Sequence, residues 1–405
     1  MIARWATEKV ISQMRFRRGV HLTGARQVGK TTLVKSLEFD NARRYTLDDA
    51  IVRQAAVSDP GSFARHGRGE TLLIDEVQKV PELLDAIKMV VDDNSDKGQY
   101  LLTGSSNLRF AKAVRDSLAG RLGHIRLRPL SLGEINRNKP SFLDAAFSRN
   151  FSAAYPLLDK RDIIRLGFIG GYPEPLDFPA GERREWCRSY LDDLLERDIK
   201  DVTEIRKTAV LRSIALWLLA RSSQFFTDEE MAAKAGVAKS TAQNYVEALE
   251  ALFLFDRVPA WAKSDYELVG RRPKWIAADT GLMAGVLGWN EEEVYFDEQR
   301  NGKFVETWVY QQLSAIAGIS LQYSIWQYRD GRKREIDFIV ERDDGALLGV
   351  EVKAGRATSD DFKHLRWFGD NLATGPFTGI VLYSGKDVLH FGENLIAVPL
   401  SSLGE

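Results

Sequence analysis

The sequence predicts an α/β fold that opens on a parallel sheet with helices on both faces and continues into smaller domains. Three observations carry this. The octet Gly24-Ala25-Arg26-Gln27-Val28-Gly29-Lys30-Thr31 sits between a short apolar strand and a helix. The runs Thr71-Leu72-Leu73-Ile74 and Tyr100-Leu101-Leu102-Thr103 alternate with helical stretches, as strands buried on both faces do. From Ser324 to Lys353 the pattern changes to β alternation. The 405 residues leave room for two to four domains, at about 100–200 residues each.

In chain order, residues 7–18 read as a helix and Val20–Thr23 as the first strand. The glycine-bounded loop follows, and Thr31–Glu38 reads as the next helix. Pro81 opens a helix over Glu82–Val91, because proline is well placed in a first turn. Gly104-Ser105-Ser106 ends the strand at Thr103, and Pro129 stops another strand over Ile125–Leu130. Beyond Asn138 the chain reads as helical and irregular, with a marked break at Gly167–Pro173 and long helices over 181–206 and 208–223. In the last third, Asp330-Gly331 and Asp343-Asp344-Gly345 are hairpin signals that break the β alternation.

Composition excludes several classes. With 44% hydrophobic and 28% charged residues, each domain can bury a core. Lys+Arg number 56 against 57 Asp+Glu, a net charge of −1, which argues against attachment to nucleic acid by bulk charge. A single cysteine, Cys187, forms no intrachain disulfide, and the five histidines lack zinc spacing. The start MIARWATEKV lacks a signal peptide's apolar core, and no apolar run reaches the roughly 18 residues of a spanning helix. A cytoplasmic protein without membrane contact is expected.

The octet matches the phosphate-loop pattern in full. Glycines allow the tight curl that turns backbone N–H groups toward phosphate oxygens, and the helix N-terminus adds positive potential. Gly24, Ala25, Arg26, Gln27, Val28, Gly29, Lys30, Thr31 and Thr32 are therefore expected to line bound ATP. Lys30 would reach the β- and γ-phosphates and Thr31 would ligate Mg²⁺. Leu72-Leu73-Ile74-Asp75-Glu76 puts two carboxylates at a strand's C-terminal end, where α/β sheets bind ligands. Asp75 would hold Mg²⁺ and Glu76 would orient or deprotonate the attacking water.

This order of motifs resembles an AAA+ ATPase module, of the prokaryotic type that carries a C-terminal domain of unknown function. The shared landmarks are Ile74–Gln78, Leu102–Ser106, Ala119-Gly120-Arg121, Arg128-Pro129-Leu130-Ser131 and Gly170–Pro173. The resemblance implies that Ser105 or Ser106 touches the γ-phosphate as sensor 1. It also implies that Arg121 is the arginine finger, with Arg115 and Arg128 as rivals. Such a finger reaches a neighbouring subunit, so a homo-oligomer is implied.

Residues 228–256 read as a helix-turn-helix. Gly236 stands at the turn, and Ala242, Tyr245, Val246 and Leu249 form one face of the second helix. With a strand over Leu252–Val258 this is a winged-helix-like segment. Lys239, Ser240, Gln243 and Asn244 would face outward, as residue types suited to phosphates or base edges; Glu247 and Glu250 oppose that reading, and a protein partner is the alternative.

In Glu335–Val340 and Gly349–Lys353, alternation lets Asp337, Glu351 and Lys353 converge at one edge, with Glu306 on a helix nearby. This resembles the restriction-endonuclease-like fold, although Ile336 stands where that signature has proline. The resemblance implies that Glu306, Asp337 and Glu351 ligate Mg²⁺ while Lys353 positions a water against a phosphodiester. The expected layout is an ATPase core over 1–150, a helical lid over 151–225, the winged-helix-like segment over 226–275 and the nuclease-like domain over 276–405. The expected function is ATP hydrolysis coupled to nucleic-acid remodelling or cleavage. Its alternative is a nucleotide-switched regulator that binds DNA or protein through an inactive nuclease-like domain.

Overall fold

The computed structural model describes residues 2–104, 118, 120–199, 208–263 and 272–405. Its first sheet comprises β1 (Gly19–Thr23), β2 (Ala42–Thr46), β3 (Thr71–Asp75), β4 (Tyr100–Gly104) and β5 (Leu122–Arg126). Their order is β2-β3-β4-β1-β5, and every pairing is parallel. The apolar runs at β3 and β4 are buried throughout, because helices cover both faces. The C-terminal ends of β1, β4 and β3 therefore lie side by side, and the phosphate loop leaves the first of them.

Several boundaries differ from expectation. The strand expected at Ile125–Leu130 is β5, which starts earlier and ends at Arg126. Its continuation Leu127–Leu130 is irregular, with Leu127 N–H donating to Thr23 O and Leu130 N–H to Gly171 O. The helix expected over 181–206 runs Ala180–Asp193 and widens into a π-turn at Leu194–Asp198. The helix of Thr208–Ala220 follows it.

Helices Asp228–Ala235 and Lys239–Ala251 meet at Gly236, whose φ of 64° is the left-handed conformation that glycine adopts without strain. Strands β6 (Phe255–Val258) and β7 (Lys274–Ala277) then form an antiparallel pair. The C-terminal sheet contains β8 (Tyr323–Arg329), β9 (Glu335–Arg342), β10 (Leu347–Lys353), β11 (Phe377–Tyr383), β12 (Leu389–His390) and β13 (Leu395–Pro399). It is mixed, in the order β12-β13-β11-β10-β9-β8, with β8, β9 and β10 as the antiparallel meander the alternation predicts. One face packs on the helix Lys363–Asn371 and the other on the helix Glu298–Ile319.

That second helix is the pillar of the molecule. Its buried polar residues each serve a neighbour: Gln312 accepts from Leu132 N–H at 2.7 Å, Gln311 accepts from Thr280 N–H at 3.2 Å, and Tyr310 donates to Asp256 at 3.0 Å. Polar side chains with partners are how a helix can be buried on nearly every side.

Candidate functional site

The phosphate loop starts where β1 ends. Gly24 has φ of 151°, and a Cβ there would lie 2.3 Å from Leu127 O, so only glycine fits. Gln27 and Gly29 also have positive φ, at 57° and 97°, which gives the tight curl. Lys30 is buried and its Nζ donates to Gly24 O and Ala25 O, both at 2.9 Å. Val28 is buried, Thr31 is half-buried, and Arg26, Gln27 and Thr32 are exposed at the mouth.

Across the loop, both oxygens of Asp75 accept from hydroxyls. Thr31 Oγ1 lies 2.9 Å from Oδ2, and Thr103 Oγ1, on the intervening strand β4, donates to Oδ1. A hydroxyl beside a carboxylate is a hard-oxygen pair, and each hydroxyl can turn its lone pairs toward a cation. These two groups fit Mg²⁺. Glu76 is left-handed at φ 58°, ψ 43°, with its N–H 3.3 Å from Thr103 Oγ1 and its carboxylate accepting from Gln78 Nε2. A left-handed conformation in a non-glycine residue costs about 1–3 kcal/mol and aims the carboxylate away from the line of its strand.

Sequence reasoning missed Arg4. Its guanidinium joins Val28 O at 2.7 Å, Arg128 O at 2.6 Å and Glu134 Oε1 at 3.0 Å. Glu134 is in turn the third residue of a capping box on Ser131. The Arg128–Ser131 landmark is thus a clamp that holds the N-terminal segment against the phosphate loop. Nothing local marks Arg4, because its partners lie 24 to 130 residues away. Gly171-Tyr172 closes on the same side: Tyr172 hydroxyl meets Tyr190 hydroxyl at 3.2 Å, and Tyr190 donates to Arg26 O at 3.2 Å.

Arg121 sits in the turn before β5, an edge strand, at the end of the sheet opposite the phosphate loop. It forms a bidentate pair with Asp92, at 2.5 and 2.9 Å. Arg128, its rival, is bound to Asp256. Ser105, Ser106 and Arg115 lie outside the described residues.

Arg126 and Arg128 leave β5 on either side of Leu127 and converge on Asp256 of β6. Burial would raise the Asp256 carboxyl, but the two guanidiniums outweigh it and hold that group well below the usual carboxylate range. Since Tyr310 donates to the same carboxylate, three parts of the chain meet at Asp256.

In the helix-turn-helix segment, Lys239, Ser240 and Asn244 are exposed as expected, and Gln243 is half-buried. Lys239 pairs with Glu229, and Gln243 donates to Asp228 at 2.6 Å.

The C-terminal carboxylates Glu306, Asp337 and Glu351 lie close enough to act on one another's charge. Glu306 and Asp337 converge, and Glu351 is close enough that Asp337 raises its carboxyl further after burial has done so. Between them stands Lys274 of β7, a residue sequence reasoning missed, with no exposed surface. Its Nζ is 2.7 Å from Glu306, 3.1 Å from Glu335 and 3.8 Å from Asp337. Burial opposes its charge, yet the carboxylates of Glu306, Asp337 and Glu335 hold the ammonium above its ordinary value. Burial opposes the charge of Lys353, but the carboxylates of Glu351, of Asp361 at 3.2 Å and of Asp337 hold its ammonium above its ordinary value. Among the described residues, no group of three or more His, Cys, Asp or Glu is arranged to hold a metal ion.

Residues 17–136 match the family model of an AAA domain. Residues 160–293 and 301–403 match two domains of unknown function, DUF8612 and DUF4143. Uncharacterized proteins of Mycobacterium tuberculosis and Mycobacterium bovis are each 25% identical over 397 residues, which is 96% of this chain and 83% of theirs. A Walker-type ATPase of Pyrococcus abyssi is similar over 71% of this chain and 96% of its own, at 14% identity and a TM-score of 0.45. Among the described residues no helix is long and apolar enough to cross a membrane. The chain thus carries an AAA-type P-loop ATPase core joined to a separate C-terminal mixed-sheet domain of unknown function.

Proposed function

We propose that this protein binds MgATP at the phosphate loop, hydrolyses it, and uses the turnover to remodel a nucleic-acid partner engaged by its C-terminal half. The observation that carries the reading is the alignment of Lys30, Thr31, Asp75 and Glu76 along the C-terminal ends of β1 and β3. Lys30 would neutralise the β- and γ-phosphates, while Thr31 and Asp75 would hold Mg²⁺, whose charge offsets that on the transferring phosphoryl group. Glu76, its carboxylate oriented by Gln78, would position and polarise the attacking water.

The route to the C-terminal half would run through β5. Leu127 O abuts Gly24, and the arginines flanking Leu127 grip Asp256 and, through it, Tyr310. A shift of the loop around phosphate would therefore be felt at the long helix. Arg121, in the turn before an edge strand and remote from its own phosphate loop, would serve the nucleotide of a neighbouring copy, exchanging Asp92 for phosphate.

One observation favours a second reading, a nucleotide-switched protein adaptor: Lys239 and Gln243 are already engaged by Glu229 and Asp228. The test is ATP hydrolysis with and without single- and double-stranded DNA, using Glu76→Gln as the blank. The ATPase reading predicts turnover above that blank and fails if the parent does not exceed it. Stimulation by DNA supports the nucleic-acid reading, and indifference to DNA supports the adaptor.

A further inference from the structure

Glu306, Glu335 and Asp337 surround the buried Lys274 ammonium, and their surroundings do not suit a metal. Mg²⁺ needs oxygens close to octahedral at about 2.0–2.1 Å and retains several waters. Here the space among Glu306, Glu335 and Asp337 already holds the Lys274 ammonium, at 2.7, 3.1 and 3.8 Å. An ammonium has three donors and no acceptor, so unlike a hydroxyl it cannot become a ligand. A divalent ion placed among the same oxygens would meet a fixed positive charge a few ångströms away, and like charges at that distance repel strongly even where the surroundings screen them well. The second oxygen of Asp337 accepts from Val352 N–H at 2.9 Å, and Lys353 is held by Asp361.

We infer that Lys274 is the resident cation of this cluster, so that the site takes no divalent metal and serves as an ionic latch between the β6–β7 hairpin and the C-terminal sheet. Hydrolysis of phosphodiesters by metal-bound water is then not an activity of this domain, and its role is to bind or transmit. The inference is independent of the ATPase reading, because Lys274, Glu306, Glu335 and Asp337 lie outside the phosphate loop and the strand ends beside it.

The test is Mn²⁺ binding to the nucleotide-free full chain, followed by electron paramagnetic resonance. Parent and Asp337→Asn are expected to bind Mn²⁺ identically, whatever the ATP site contributes. Lys274→Ala is expected to gain one ion, bound at least about a hundredfold tighter than any the parent holds there. Adding Asp337→Asn to that variant should remove it. The inference is overturned if the parent loses an ion on Asp337→Asn, or if folded Lys274→Ala gains none. Should Lys274→Ala fail to fold, the parent's comparison with Asp337→Asn and with Glu306→Gln still decides. A magnesium-dependent DNA cleavage by the parent that Asp337→Asn abolishes also overturns it.

Discussion

The protein contains two clusters of carboxylates, one at the end of β3 and one around Lys274, and their neighbours give them opposite chemistry. At the end of β3, Asp75 faces hydroxyls from Thr31 and Thr103. Hydroxyls both donate and accept, so they stabilise the carboxylate while leaving it able to share a cation. In β9, Asp337 faces an ammonium shared with Glu306 and Glu335. That ammonium offsets part of the cluster's charge and occupies the space among its oxygens. The same residue type is thus suited to share a cation in one place and to act as a structural counter-ion in the other. Partner chemistry decides which.

The largest effect should come from the nucleotide cluster. Lys30→Ala removes the buried ammonium that the loop holds with its own carbonyls, and steady-state ATP hydrolysis should fall by about 10³-fold or more. Glu76→Gln should lower turnover by about 10²–10³-fold while a fluorescent ATP analogue still binds. If Glu76→Gln turns ATP over like the parent, the water is handled by another group.

Asp256→Ala probes a third arrangement, a carboxylate held by two guanidiniums and a phenol. It leaves Arg126 and Arg128 facing each other without their shared anion. Urea unfolding should report a loss of about 3–5 kcal/mol, the usual cost of breaking a buried ion pair from one side. A loss near zero would mean that water replaces Asp256 and that β5 is not tightly coupled to the long helix.

Legibility in the sequence follows how local each device is. The phosphate loop, Asp75 and Glu76 were readable because their chemistry is written in consecutive residues between recognisable elements. The C-terminal meander was readable because β alternation and the turns at Asp330-Gly331 and Asp343–Gly345 are local as well. Lys274 was not. Its segment Arg272-Pro273-Lys274 reads as an ordinary solvated cationic stretch, and its partners lie 32 to 63 residues downstream, on other elements. Arg4 was hidden for the same reason. The early end of the strand expected at Ile125–Leu130 is also non-local: Leu130 N–H is taken by Gly171 O, far along the chain, instead of by a neighbouring strand.

Asp279 sharpens the comparison from the other side, since among the described residues its carboxylate has neither a hydroxyl nor an ammonium as a hydrogen-bond partner. It accepts from Leu282 N–H and Gly171 N–H, both at 2.7 Å, and from the Gln311 amide at 3.1 Å. Burial pushes its carboxyl up to about 6 from the ordinary 3.8, and these dipoles recover only part of the cost. A folded-state value above the unfolded one means that the native protein holds the proton more tightly. Stability from this group is therefore greatest below pH 4 and declines as pH rises to about 6, after which it is level. The decline amounts to about 3 kcal/mol, since each tenfold gain in proton affinity is worth about 1.4 kcal/mol. In Asp279→Asn it should vanish, so the parent-minus-variant difference in urea unfolding should fall across that range. A flat difference would mean that the N–H groups of Gly171 and Leu282 alone make a buried carboxylate as comfortable as water does. A cation would then be unnecessary at Asp337 on the same physics, and the buried charge of Lys274 would need another cause.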